Sequence, residues 1–151
     1  ETSVLIASGV TDPSSFENVD TANFAIRKGE ALESGSSSSE IDLNIFHGST
    51  DAPTVDIVTS GGTTLASQLS FGSFSGIVSG VPAADYTVEV QAGGSTAASF
   101  DVPLSGAGGA YRTVVASGFL TAEGDPVGSS TFKLLAVAPD GSVTAIQPNS
   151  N

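Results

Sequence analysis

His47, Ser49 and Asp51 fall within one short stretch and carry the residue types of a nucleophilic triad. A triad needs its base within hydrogen-bond reach of the nucleophile, and the acid behind the base. Three residues crowded at one strand end work against that order. The Gly-x-Ser-x-Gly elbow that presents a serine on a sharp turn is missing from the sequence. The expected arrangement is a turn in which Ser49 or Asp51 binds backbone amides ahead of Pro53.

Metal chemistry is equally short of ligands. His47 is the single histidine and there is no cysteine, so a zinc or copper site would lack partners. Calcium asks for clustered oxygens. Asp12, Glu17 and Asp20, with Asn18, share one loop and are weak calcium candidates; Glu123 and Asp125 sit in the corresponding loop further on. Their spacing is not that of an EF-hand, and a solvated acidic loop is expected. Asp56 and Glu89 alternate onto outward strand faces, whereas a glycosidase needs two carboxylates about 5–10 Å apart across a cleft. Gly106 to Gly109 lacks the Lys-Ser/Thr of a phosphate loop. Lys28 or Lys133 could form an isopeptide cross-link, as in some surface sandwiches, but Lys133 alternates with Phe132 and Leu134 and is expected to face solvent. No catalytic constellation emerges, and the expectation is a protein that is not an enzyme and needs no cofactor.

Charge narrows the partners. Sixteen acids stand against four bases, for a net charge of −12. Arg27, Lys28, Arg112 and Lys133 cannot neutralise a run of phosphates, so nucleic acid is not an expected partner. An anionic membrane surface is not expected on the same ground. No stretch reaches the roughly 20 apolar residues of a membrane span. The dispersed acids suit a salty milieu, where self-repulsion is screened. The first residue is Glu1, which reads as a processed or excised end.

The elements that would position these side chains are strands. Hydrophobic residues make up 39% of the chain, without Trp or Met. Strand signals recur every eight to twelve residues with turn residues between them, the spacing of a sandwich or barrel. Ile41 to His47, Thr54 to Thr59 and Asp85 to Gln91 alternate apolar and polar. Thr64 to Leu69 is weaker. Phe71 to Val78 contains two glycines and is expected to be bulged or bent. Ala98 to Leu104 follows, and Tyr111 to Leu120 is the expected central strand. Phe132 to Ala138 and Val143 to Ile146 form a hairpin about Pro139-Asp140-Gly141. No segment has a helical period. The predicted core comprises Ile45, Val55, Ile57, Tyr86, Val88, Val90, Val114, Leu134 and Val137.

The chain also repeats itself. Leu5-Ile6-Ala7-Ser8-Gly9-Val10 matches Val114-Val115-Ala116-Ser117-Gly118-Phe119, and Asn23-Phe24-Ala25-Ile26 echoes Thr131-Phe132-Lys133-Leu134. Self-similarity at such a period marks an array, or a chain that reuses an end-piece. Residues 1–32 therefore read as an extension resembling the closing strands of a module. Residues 33–40 read as a flexible Ser-rich linker, and residues 41–151 as the sandwich domain.

His47-Gly48-Ser49-Thr50-Asp51-Ala52-Pro53-Thr54-Val55-Asp56-Ile57-Val58 resembles the first motif of the DUF4397 family of extracellular β-sandwich domains. Val81-Pro82-Ala83-Ala84-Asp85-Tyr86-Thr87-Val88-Glu89-Val90 and Tyr111-Arg112-Thr113-Val114-Val115-Ala116-Ser117-Gly118 resemble its second and third. Gly48, Thr50 and Ala84 depart from the pattern without removing a functional group. The resemblance implies an extracellular or cell-surface location and tandem copies, without an established enzymatic activity.

The resulting expectation is an all-β, Ig-like antiparallel sandwich with an N-terminal strand-bearing extension, serving as a structural subunit or repeat of an extracellular fibre. Its partner would be itself, joined head to tail by strand addition through Val4, Leu5, Ile6, Phe24 and Ile26. The alternative is an adhesin-type module that recognises a glycan or protein through its loops.

Overall fold

A computed structural model describes residues 2–15, 23–121 and 131–150. Eleven strands are present among them, with one 3-10 turn at Pro13–Ser15 and no α-helix. They form three layers. A four-stranded sheet contains β4 (Val55–Thr59), β5 (Thr64–Leu69), β7 (Asp85–Ala92) and β8 (Ser95–Pro103), in the order β5-β4-β7-β8. A five-stranded sheet contains β3 (Glu40–His47), β6 (Phe74–Pro82), β9 (Tyr111–Ser117), β10 (Lys133–Val137) and β11 (Val143–Ile146), in the order β11-β10-β9-β3-β6. A two-stranded hairpin of β1 (Thr2–Ser8) and β2 (Ala25–Ala31) makes the third layer. The fold is thus all-β, and β9 is the middle strand of the larger sheet, as its apolar run predicts.

The core lies between the two larger sheets. Ile41, Leu43 and Ile45 meet Val55, Ile57, Val88, Val90 and Phe100 there. Val88 is buried, so the period-2 phase of β7 is right. Phe132 packs edge-on against Phe100 with ring centroids 5.8 Å apart. Three of the predicted core residues are only half-buried. Tyr86 lies at the rim, where its hydroxyl donates to the Pro82 carbonyl at 2.8 Å. Val114 lines a cavity of about 230 Å³ between the sheets. Val137 is an odd number of residues from Leu134, so strand alternation turns it to the outer face.

Glycine bends β6 at Gly76, inside the stretch predicted to bend, and again at Gly80 beyond it. Gly76 and Gly80 have φ of 79° and 75°, and the β3–β6 register shifts twice opposite this stretch. Such bulges blunt a sheet edge against unwanted pairing. One pairing is outside the antiparallel expectation: β3 runs parallel to β9. The two strands are far apart in sequence, so no local turn signal encodes their relative direction.

The stretch read as a flexible linker is tied down. Gly35 N–H donates to the Gly109 carbonyl at 2.8 Å, and Ser36 N–H donates to Asp42 Oδ2 at 2.9 Å. Asp42 is buried and also accepts from Gly80 N–H at 3.3 Å. A buried carboxylate needs such donors to offset desolvation. A Cβ on Gly35 would come within 2.5 Å of the Ala110 carbonyl oxygen, so only glycine fits there.

β3 is buried along almost its whole length. A strand of that kind is covered on both faces. The four-stranded sheet covers one face, and the hairpin covers the other.

Candidate functional site

The His47–Asp51 segment follows β3 and is held by its own side chains. His47 is 1% exposed, and its Nε2 lies 2.9 Å from the Pro53 carbonyl oxygen. A carbonyl can only accept, so Nε2 carries a proton. Burial lowers the His47 pKa below its ordinary 6.5, against the weaker opposing pull of the Pro53 carbonyl. The ring edge faces Phe71 at 6.2 Å.

Ser49 is fully buried, and its hydroxyl donates to Asp51 Oδ1 at 3.2 Å. Asp51 uses both oxygens across the molecule. It accepts from Leu120 N–H at 2.7 Å and from Thr121 N–H and Oγ1 at 2.9 Å each. The serine therefore donates to the acid, and the histidine faces a backbone carbonyl. Neither side chain is placed to deprotonate a nucleophile. The expected local turn ahead of Pro53 is not formed: Asp51 does bind backbone amides, but those of Leu120 and Thr121, and so clamps the segment after β9.

The other acids hold local structure. Asp56 Oδ1 accepts from Gln68 N–H at 2.7 Å, where Gln68 adopts φ 52°. Glu89 Oε2 accepts from Gln91 and Thr96, each at 3.0 Å. Among the described residues no group of three or more His, Cys, Asp or Glu side chains converges. Asp12 lies in the described part, and Ser14 Oγ donates to it at 2.5 Å. Glu17, Asn18, Asp20, Glu123 and Asp125 lie outside the described residues. Gly106 to Gly109 forms turns, with Ala107 N–H on Leu104 O and Ala110 N–H on Ala107 O, each at 3.0 Å.

The feature with most unexplained surface is the hairpin. β1 and β2 pair antiparallel, with Ala7 opposite Ile26 and Ser8 opposite Ala25. In the sandwich, Ala116 is opposite Leu134 and Ser117 opposite Lys133. These are the same pairs in the two copies of the repeat. Isolated parallel bridges beyond the strands repeat as well, Val10 with Asn23 and Phe119 with Thr131. The repeat is therefore one of structure and register, not of composition alone.

The hairpin's inner face packs on its own chain, on the outer side of the five-stranded sheet. Val4, Ile6, Ala25, Arg27 and Gly29 point inward by strand alternation. A Cβ on Gly29 would lie 2.5 Å from the Phe74 ring. Arg27 sits over the Phe71 ring at 6.0 Å. Glu30 O accepts from Asn44 Nδ2 at 2.8 Å and from Tyr111 Oη at 3.2 Å. Burial raises the Tyr111 pKa, which keeps its hydroxyl a donor.

Five residues were expected to form an assembly surface. They divide between the two faces of the hairpin. Val4 and Ile6 are half-buried against the sandwich. Leu5, Ile26 and Phe24 are 67%, 68% and 53% exposed on the outer face. Their counterparts Leu134 and Phe132 are 5% and 6% exposed in the core, and Val114 is half-buried. Sequence reasoning missed the docking residues Arg27, Gly29, Asn44, Phe74 and Tyr111. Alternation along β2 would have put Arg27 and Gly29 opposite Ile26; nothing local points to Asn44 or Tyr111.

The model of one protein family, described as a domain of unknown function (DUF4397), matches residues 41–145. No curated protein and no solved structure matches the chain.

Proposed function

We propose that this chain, which belongs to the DUF4397 family, is a structural repeat of an extracellular surface fibre that joins a neighbouring copy through its N-terminal hairpin. One observation carries the reading. Leu5, Phe24 and Ile26 occupy the positions that Val114, Phe132 and Leu134 hold facing the core, yet they face outward uncovered. Three large apolar side chains left exposed on one face of a hairpin point to an interaction surface.

The free edge of β1 supports the same reading. The corresponding edge of β9 carries β3 in parallel, whereas among the described residues β1 pairs with β2 alone. An open edge supplies main-chain donors and acceptors in register, which is how strand addition joins subunits. Copies joined one after another in this way build a fibre. Among the described loop acids, Asp51 and Asp140 bind amides and hydroxyls of their own chain, which supports a structural role for them.

The test is the state of the purified full chain at rising concentration, by electron microscopy and sedimentation. Fibres or larger species are expected, and Leu5→Asp with Ile26→Asp should abolish them. A monomer at all concentrations, with Leu5 and Ile26 reactive to footprinting, would overturn the reading.

A further inference from the structure

We infer that the neighbour is a preceding copy of this fold, packed back to back on the five-stranded sheet about an approximate two-fold axis that passes near β1 and β9. This rests on the reading of the hairpin as closing strands shared with another copy. It adds the identity of the occupant and the symmetry of the joint.

The motivating observation is that equivalent residues face each other. One surface pocket is lined by Ile6, Ala7, Ser8, Gly9 and Val10 from the hairpin side. It is lined from the sandwich side by Val115, Ser117, Gly118 and Phe119, with Phe46, Gly48 and Thr50 completing it. Four positions of the repeat thus match pairwise, Ile6 with Val115, Ser8 with Ser117, Gly9 with Gly118 and Val10 with Phe119. In a two-fold contact residue i meets j as j meets i, so residues at the axis meet their own counterparts. A head-to-tail contact brings different patches together and would produce no such self-match.

Strand order extends the argument. β1 corresponds to β9, and the two meet at their C-terminal ends, where both line that pocket. β2 corresponds to β10 and packs on β3 and β6. In the larger sheet β9 is flanked by β10 on one side and β3 on the other. A preceding copy would therefore place its counterpart of β3 on the free edge of β1, in parallel. By the same symmetry that strand and the counterpart of β6 would continue over β10 and β11.

The surface those strands would cover is mostly apolar, with Lys133 at one end, and is open over β11. Thr144 and Ile146 line the inter-sheet cavity, so Val143 and Ala145 point outward. Leu135 is paired with Ala145, and Val137 with Val143, on that same outer face. Val143 is 56% exposed. The hairpin's own outer face, Leu5, Phe24 and Ile26, would then meet the preceding copy's four-stranded sheet, as Phe132 meets Phe100 here. One occupant accounts for both bare patches. A joint of this symmetry closes as a pair, so a fibre would grow from pair to pair through other surfaces.

The symmetry is approximate at one place. Gly29, under Phe74, corresponds to Val137. The preceding copy must therefore carry a smaller side chain than Phe at its counterpart of position 74.

The experiment joins a second copy of residues 40–109 directly ahead of Glu1 of the full chain, with Phe74→Ala in the added copy. A second version keeps Phe74 in the added copy and carries Val137→Gly in the original one. The chain has no cysteine, so Leu5→Cys and Val143→Cys can each be introduced alone as an alkylation probe. Both thiols should react at least about tenfold more slowly in the joined chains than in the 151-residue chain, because buried sites react only through local opening. Slowing at Leu5→Cys with none at Val143→Cys would overturn the back-to-back geometry and leave the hairpin reading intact. Slowing at Val143→Cys alone, or at neither thiol in both versions, would overturn the inference together with the reading of the hairpin as closing strands.

Discussion

β1–β2 and β9–β10 are the same hairpin in two surroundings. The register is shared, and so are the parallel bridges beyond the strands. Yet Phe132 and Leu134 are core residues, while Phe24 and Ile26 face solvent. The local sequence thus encodes strands, pairing and the alternation of faces. What covers each face is decided elsewhere. β9–β10 has the four-stranded sheet on one side. β1–β2 has only the outer side of the five-stranded sheet, on its opposite face.

The largest test of this comparison is truncation at matched positions. Phe132→Ala should cost about 3–5 kcal/mol, as expected for a buried Phe. Phe24→Ala in the same chain should change stability by no more than about 0.5 kcal/mol, as for an exposed residue. Denaturant unfolding of both variants would measure the difference, and equal losses would mean that Phe24 is covered within a single chain.

A second test exchanges the docking residue for its counterpart. Gly29→Val adds a branched side chain where a Cβ already meets the Phe74 ring at 2.5 Å. Overpacking of this kind costs about 1–3 kcal/mol. The loss should appear as faster amide exchange across Ala25–Ala31, with β9 and β10 unaffected. Protection unchanged in β2 would show that Gly29 does not seat the hairpin.

A third concerns the clamp after β9. Asp51→Ala leaves the Leu120 and Thr121 amides without their acceptor and should cost about 1–3 kcal/mol. Thermal unfolding of this variant should show a lowered midpoint, with β1–β2 exchange unchanged.

The smallest expected effect is a pH dependence. Burial depresses the His47 pKa in the folded state below the 6.5 of the unfolded chain. The unfolded chain then binds the proton more readily, so stability rises with pH in that range. Its contribution is fully present above about pH 6.5 and declines as pH falls toward the folded value. His47→Gln should flatten this part of the profile, and an unchanged slope between pH 5 and 7 would assign it to other groups.

Much of the sandwich was legible before any coordinates. Alternation in Asp85 to Gln91 put Val88 and Val90 inside, and the apolar run from Tyr111 marked the middle strand. The same alternation, applied with care, separates Val137 from Leu134 and Leu5 from Ile6. The Ser-rich stretch misled because composition describes a free chain. Asp42 and the Gly109 carbonyl, which hold Gly35 and Ser36, come from β3 and from a distant turn. The residue types at His47, Ser49 and Asp51 point to amide binding rather than catalysis, but they suggest a local turn, and the reach of Asp51 to Leu120 and Thr121 was invisible.

The sequence by itself determined the all-β class, the strand positions, the repeat and the shared register of its two hairpins. Those follow from side-chain alternation and turn residues, which act over a few positions and survive in any surroundings. Only the tertiary structure decided that β3 runs parallel to β9 and that the hairpin's inner face docks on Asn44, Phe74 and Tyr111. It also decided which apolar residues stay bare. These are contacts between segments far apart in the chain, where burial depends on which surfaces meet and no local pattern specifies the partner.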